Sequence, residues 1–97
     1  MAFFVYILAS GRNGTLYTGY TDDLYRRMDE HRAHSLSKFT AKYDVTKLVF
    51  YETHDSREAA FERERRIKKW RRQWKLELIE RANPGWRDLF EDLDRLE

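Results

Sequence analysis

Five side chains in this 97-residue chain are of types used for proton transfer and anion binding: the phenols of Tyr6 and Tyr17, the Arg27 guanidinium, the His31 imidazole and the Glu64 carboxylate. Arg27 and His31 stand at i and i+4, so on one helix they face one spot. In a second helical segment, Glu64 is the acid that wheel arithmetic brings to the edge of the apolar stripe, whereas Glu58 and Glu62 point outward. Tyr6 and Tyr17 fall on neighbouring strands. Each residue also has an ordinary reading. Glu64 can pair with Arg71 or Arg63, and Arg27 with Asp23 or Glu30. His31 can be a half-buried histidine, and strand tyrosines commonly pack a sheet. The combination is what makes a candidate site. The charge pattern adds a ligand class. Arg63 to Lys75 holds eight Lys or Arg against one acid, although the net charge is only +2. Such a stripe suits a phosphate-bearing partner, and it also suits a solvated helix face.

The elements that must position these residues are legible in outline. Residues 2–8 (AFFVYIL) form a continuous apolar run of β-formers, long enough for a strand buried on both faces. Gly11-Arg12-Asn13-Gly14 then signals a hairpin, because Asn-Gly favours positive φ. Residues 15–20 return as a second strand, with Thr15, Tyr17 and Gly19 on one face. Thr21 is the expected N-cap of a helix running to about Ala33, with Asp22 and Asp23 at its positive end. Leu24 and Met28 mark its buried stripe, His31 falls between them, and Arg27 lies on the edge. Residues 34–47 read as a polar loop, and Leu48–Glu52 as a third strand.

Asp55 and Glu58 have capping-box spacing and open a long helix that either runs past Trp70 or breaks near Arg71. Ala59, Ala60, Ile67, Trp70 and Trp74 define its buried side, with Glu64 beside Arg71. On that stripe Trp70 and Trp74 read as core rather than as base-stacking platforms. Asn83-Pro84-Gly85 ends the helix. A short amphipathic helix with Trp86, Leu89, Phe90 and Leu93 on its apolar side closes the chain. The expected fold is α+β: a small three-stranded sheet flanked by helices in the order β-β-α-β-α-α, as a single domain over residues 1–97.

Composition narrows the classes further. Hydrophobic residues make up 41% and aromatics 15%, which argues against disorder. No apolar run approaches the ~18 residues of a membrane span. The apolar start reads as a strand rather than a signal peptide, since neither a basic leader nor a nearby small-residue cleavage site accompanies it. The chain has no cysteine, which excludes disulfides, thiolate metal sites and a thiol nucleophile and fits a cytoplasmic location.

The ordered series of these residues resembles the GIY-YIG nuclease superfamily. Phe4-Val5-Tyr6, an eleven-residue step, and Tyr17-Thr18-Gly19 are similar to its paired signature; the first triplet keeps the tyrosine, the second the tyrosine and glycine. The segment Thr21 to His31 looks like the next helix of that family, with its arginine at Arg27 and histidine at His31. Ser56 to Ala60 followed by Arg63 to Trp70 resembles the stretch carrying a metal-binding glutamate, in register at Glu64. The resemblance covers nearly the whole chain and is nearest to the small single-domain bacterial members, whose individual functions are generally unassigned. Asn83 is the only late asparagine to set against the one that better-studied members use.

The resemblance implies hydrolysis of a DNA phosphodiester. Glu64 would hold one divalent ion, Mg2+ or Mn2+, and Arg27 would neutralise charge on the phosphate oxygens. A tyrosine would take the proton of the attacking water. Tyr6 is the first choice, with Tyr17 orienting water or phosphate, and the reverse assignment stays open. An ordinary phenol titrates near ~10, so a cation is needed beside it, from Arg27 or His31. Gly19 would let backbone or substrate approach the hairpin closely. Lys42, Lys68, Lys69, Arg71 and Arg72 are the candidate phosphate contacts. The partner is DNA, with branched, damaged and single-stranded forms all open. The alternatives are a nucleic-acid-binding protein that keeps the fold without cleavage, and an interaction subunit whose acidic C-terminal helix docks on a protein.

Overall fold

A computed structural model describes residues 2–33 and 38–96. The first strand, β1 (Phe3–Ala9), lies at the centre of a three-stranded antiparallel sheet between β2 (Leu16–Thr21) and β3 (Lys47–His54), in the order β2-β1-β3. Central placement explains the unbroken apolar run: Val5 to Ala9 are all buried. Alternate residues serve opposite faces. Val5, Ile7 and Ala9 pack with Ala60, Ile67, Ile79 and Trp86. Tyr6 and Leu8 pack with Leu24, Met28, Val45 and Leu93. A bulge in β3 sets Ile7 opposite Phe50 but Leu8 opposite Leu48. The extra residue, Val49, therefore joins Phe50 on the first face.

The hairpin connecting β1 and β2 closes on a turn in which the Gly14 N–H donates to the Gly11 carbonyl at 2.9 Å. Asn13 supplies the positive φ (57°), while no glycine has one. A Cβ at Gly14 would lie 2.3 Å from Ser10 Oγ and 3.0 Å from the Gly11 N, so a side chain there would displace the Ser10 hydroxyl.

Helix α1 (Leu24–Arg32) is capped by Asp23, whose side chain accepts from the Arg26 N–H, and not by Thr21. Thr21 instead accepts from the Asp23 N–H and so sets up the cap. The loop expected over 34–47 is corrected: its first four residues lie outside the described ones, and Lys38–Tyr43 forms a short helix, α2. Its end is a Schellman turn. Asp44 takes φ 53°, and the Val45 N–H reaches back to the Thr40 carbonyl at 2.8 Å.

Helix α3 (Arg57–Lys69) is capped by Ser56, which accepts from the Ala59 N–H, rather than by the expected Asp55. Trp70 and Arg71 are extended (ψ 149° and 153°), and α4 (Arg72–Ala82) starts afresh. A 3₁₀ helix, Leu89–Leu96, follows the Asn83 turn. Tyr25 stacks on Phe90 with ring centroids 5.2 Å apart, and Arg32 pairs with Asp88, so this helix is tied to α1. Among the described residues, no helix is long and apolar enough to cross a membrane.

Candidate functional site

The Tyr6 ring leaves β1 and lies across the edge strand at Gly19, its partner in the β1–β2 register. A Cβ at position 19 would sit 2.5 Å from the Tyr6 hydroxyl and 2.6 Å from Cζ. The missing side chain therefore makes room for the protein's own phenol, not for a substrate. Tyr17 lies on the same sheet face one strand over, with ring centroids 6.4 Å apart.

Helix α1 brings two further groups. His31 is fully buried, and its Nε2 is 3.2 Å from the Tyr6 hydroxyl. Its Nδ1 is 3.3 Å from Thr40 Oγ1 on α2. A neutral ring, donating through one nitrogen and accepting through the other, satisfies both contacts. The Tyr17 ring meets His31 edge-on at 5.2 Å. Arg27 is about one-third exposed and pairs with Glu30 at 3.4 Å, one of its two expected partners. The Arg27 charge also acts on the Tyr6 phenol, favouring its ionised form. Helix α3 brings Glu64, whose charge also reaches Tyr6. Glu64 is 8% exposed and lies in line with the buried Ala60 and Ile67. Its partner is Lys68, at 3.4 Å to Oε1, and not the expected Arg71 or Arg63. Arg63 binds Glu52 at 2.9 Å instead.

Burial decides the protonation of the two innermost groups. It raises the Tyr6 pKa well above that of a free phenol; Tyr17 and Glu64 push the same way, and Arg27 opposes them. Burial, then the Arg27 charge, lowers His31 to about 4, with Glu30 opposing. His31 is therefore neutral near pH 7, and the expectation that it could supply a cation for a phenolate does not hold. Arg27 is the cation beside the phenol.

Among the described residues, no group of three or more His, Cys, Asp or Glu side chains gathers as a metal centre. Glu64 offers a single hard oxygen donor set. That fits a Mg2+ or Mn2+ ion keeping most of its waters, as a hydrated ion bound through one carboxylate does.

The candidate phosphate contacts divide. Lys68, Lys69 and Arg71 are exposed where α3 gives way to α4. Arg72, at the same corner, donates to the carbonyls of Asn13 and Gly14 at 2.7 and 2.6 Å and so ties α4 to the hairpin turn. Lys42 is exposed on α2, its Nζ 5.4 Å from the centre of the Tyr43 ring. Asn83 is a structural clamp. Its Nδ2 donates to the carbonyls of Val49 and Arg87 at 3.0 and 2.8 Å, and its Oδ1 accepts from the Arg87 N–H at 3.1 Å. Of the tryptophans, Trp86 is buried and Trp70 partly so, but Trp74 is 48% exposed and does not belong to the core as expected. Ala59, placed on the same buried side by the wheel, is also exposed. Thr40, which contacts His31, escaped the sequence reading because its segment looks like a polar loop.

The sequence profile of the GIY-YIG catalytic domain matches residues 2–77. The UPF0213 protein of Haloquadratum walsbyi is 42% identical over 77 residues, covering 79% of this chain and 85% of that protein. The UPF0213 protein of Streptococcus sanguinis is 43% identical over 77 residues, covering 78% and 86%. The solution NMR structure of the UPF0213 protein from Bacillus halodurans is similar with a TM-score of 0.56 at 31% identity, covering 91% of this chain and 93% of that one.

Proposed function

The chain belongs to the GIY-YIG family, a nuclease superfamily, and from that premise we propose that it is a metal-dependent endonuclease hydrolysing DNA phosphodiester bonds. The observation that carries the reading is the cluster around the Tyr6 phenol. Tyr17, His31 and Arg27 surround it, and the Glu64 charge reaches it from another helix.

Glu64 would hold one Mg2+ or Mn2+ ion, which when bound supplies Lewis-acid stabilisation to the phosphate and the leaving oxygen. The Arg27 guanidinium, partly exposed, donates to non-bridging phosphate oxygens as negative charge gathers on them. Tyr17 is assigned as the group that meets the attacking water and accepts its proton. It is half-buried on the edge strand, whereas Tyr6 is fully enclosed and burial opposes its ionisation. Tyr6 then acts as a positioning residue, held by His31 and Gly19. This reverses the order first favoured from sequence. Lys68, Lys69 and Lys42 supply phosphate contacts with little sequence selectivity. DNA as substrate goes with a cytoplasmic location.

A second reading, DNA binding without cleavage, is favoured by one observation: the Lys68 ammonium already neutralises one Glu64 oxygen at 3.4 Å. A docking role for the acidic C-terminal segment has less support, because Asp88 and Asp92 are engaged within the chain, by Arg32 and Arg87.

The deciding experiment incubates wild type, Glu64→Ala, Tyr17→Phe and Tyr6→Phe with labelled duplex, single-stranded, flap and four-way-junction DNA. Each is run with Mg2+, Mn2+ or chelator. The expected result is metal-dependent cutting by wild type, none by Glu64→Ala with binding retained, and a loss of about 10²–10⁴-fold in Tyr17→Phe that exceeds the loss in Tyr6→Phe. Equal cutting by Glu64→Ala would remove the metal assignment. Binding without cutting by wild type would establish the second reading. A larger loss in a folded Tyr6→Phe would return the base to Tyr6.

A further inference from the structure

The corner between α3 and α4 presents a surface that the hydrolytic cluster leaves unused. Trp74 is 48% exposed beside a depression that Trp70, Glu77, Leu78 and Arg81 also line. Trp70 meets Trp74 edge-on, with ring centroids 6.2 Å apart. The Arg71 guanidinium lies 5.1 Å from the centre of the Trp74 ring, and that of Arg63 lies 5.2 Å from Trp70. Apolar planes are thus interleaved with cations at the point where the chain carries eight Lys or Arg against one acid. A plain apolar groove would suit a hydrophobic partner. Aromatic planes set beside the guanidinium groups of Arg63 and Arg71, with Glu77 the one acid lining the depression, suit an occupant that is flat and apolar in one part and anionic in the next. An unpaired nucleotide has both parts.

We propose that Trp74, with Trp70 and Arg71, forms a stacking subsite for an unpaired base of single-stranded DNA, with Lys68 and Lys69 meeting the flanking phosphates. The inference rests on the DNA reading above and narrows its substrate class. Bases inside a duplex are already stacked and cannot cover a protruding indole, so the subsite selects a substrate with an unpaired stretch. Lys68, on the last turn of α3, is paired with Glu64 at 3.4 Å, so a phosphate met by Lys68 would lie beside that carboxylate.

The test measures fluorescence anisotropy of the full chain with an oligothymidylate and with a blunt duplex of equal length, both in chelator. Wild type, Trp74→Ala and Trp74→Phe are compared, and circular dichroism verifies the fold. Trp74→Ala is expected to weaken oligothymidylate binding about tenfold, in line with the ~1–3 kcal/mol of a base–aromatic stack. Duplex binding should stay within about twofold, and Trp74→Phe should recover most of the loss. Unchanged oligothymidylate affinity, or an equal loss on both probes, overturns the subsite while duplex binding upholds the DNA reading. Absence of binding to either probe by wild type overturns both. Self-association that Trp74→Ala abolishes, with oligothymidylate affinity unchanged, assigns the groove to a second copy of the chain and overturns the proposal.

Discussion

His31 carries a cost that depends on pH. Its folded pKa of about 4 lies below the ~6.5 of a free imidazole, because burial disfavours the charged ring. Between those values the unfolded chain binds a proton that the folded chain does not. The stabilisation is fully present above pH ~6.5 and is lost as pH falls through about 4, by up to about 3 kcal/mol. Urea midpoints of the wild type should decline across that window, and those of His31→Gln should decline less. Matching slopes in the two proteins would mean that other groups control the transition. At this scale the sequence was legible where periodicity applies. The helical wheel put Glu64 at the edge of the apolar stripe of α3, where it is 8% exposed, and His31 on the buried stripe of α1. Thr40 was not legible, because its role depends on a tertiary contact with His31 nine positions earlier across a segment with no apolar period.

Elements were readable from their apolar patterns and misread at their ends. The strands and the major helices follow alternation and the 3.6-residue stripe, while caps depend on which of several adjacent polar residues turns inward. Asp23 won over Thr21, and Ser56 over Asp55. The placement of Trp74 failed for a related reason. Two extended residues, Trp70 and Arg71, reset the helical phase, so a wheel continued from α3 no longer describes α4. Asn83 joins elements that sequence alone does not connect. Its three amide contacts fix the turn after α4 to β3 and to Arg87. Asn83→Ala should lower stability by about 2–4 kcal/mol, since it leaves buried backbone groups without partners. Denaturant unfolding would measure this, and metal-dependent cutting by the folded fraction should persist. A stable variant with abolished cutting would instead put Asn83 in the chemistry.

For the molecule as a whole, a net charge of +2 conceals a separation that the chain order already displays. The basic residues crowd the α3–α4 corner, while five acids against two Arg lie between Trp86 and Glu97. DNA affinity should therefore depend steeply on salt despite the small net charge. Replacing Lys68 and Lys69 together should lower the slope of log affinity against log salt by up to about two. An unchanged slope would take the corner out of the interface. What composition could not reveal is that Arg72 is occupied at the hairpin turn, because that contact spans 59 positions and depends on the closed fold.

The contact between the Tyr6 ring and Gly19 makes those two positions one unit of sequence change. A lineage that keeps a phenol at position 6 is held to glycine at position 19, because a methyl group there would overlap the ring. A lineage that gives up the ring frees position 19 in the same step. The two positions are therefore free to drift only together, and a substitution neutral in one background is disruptive in the other.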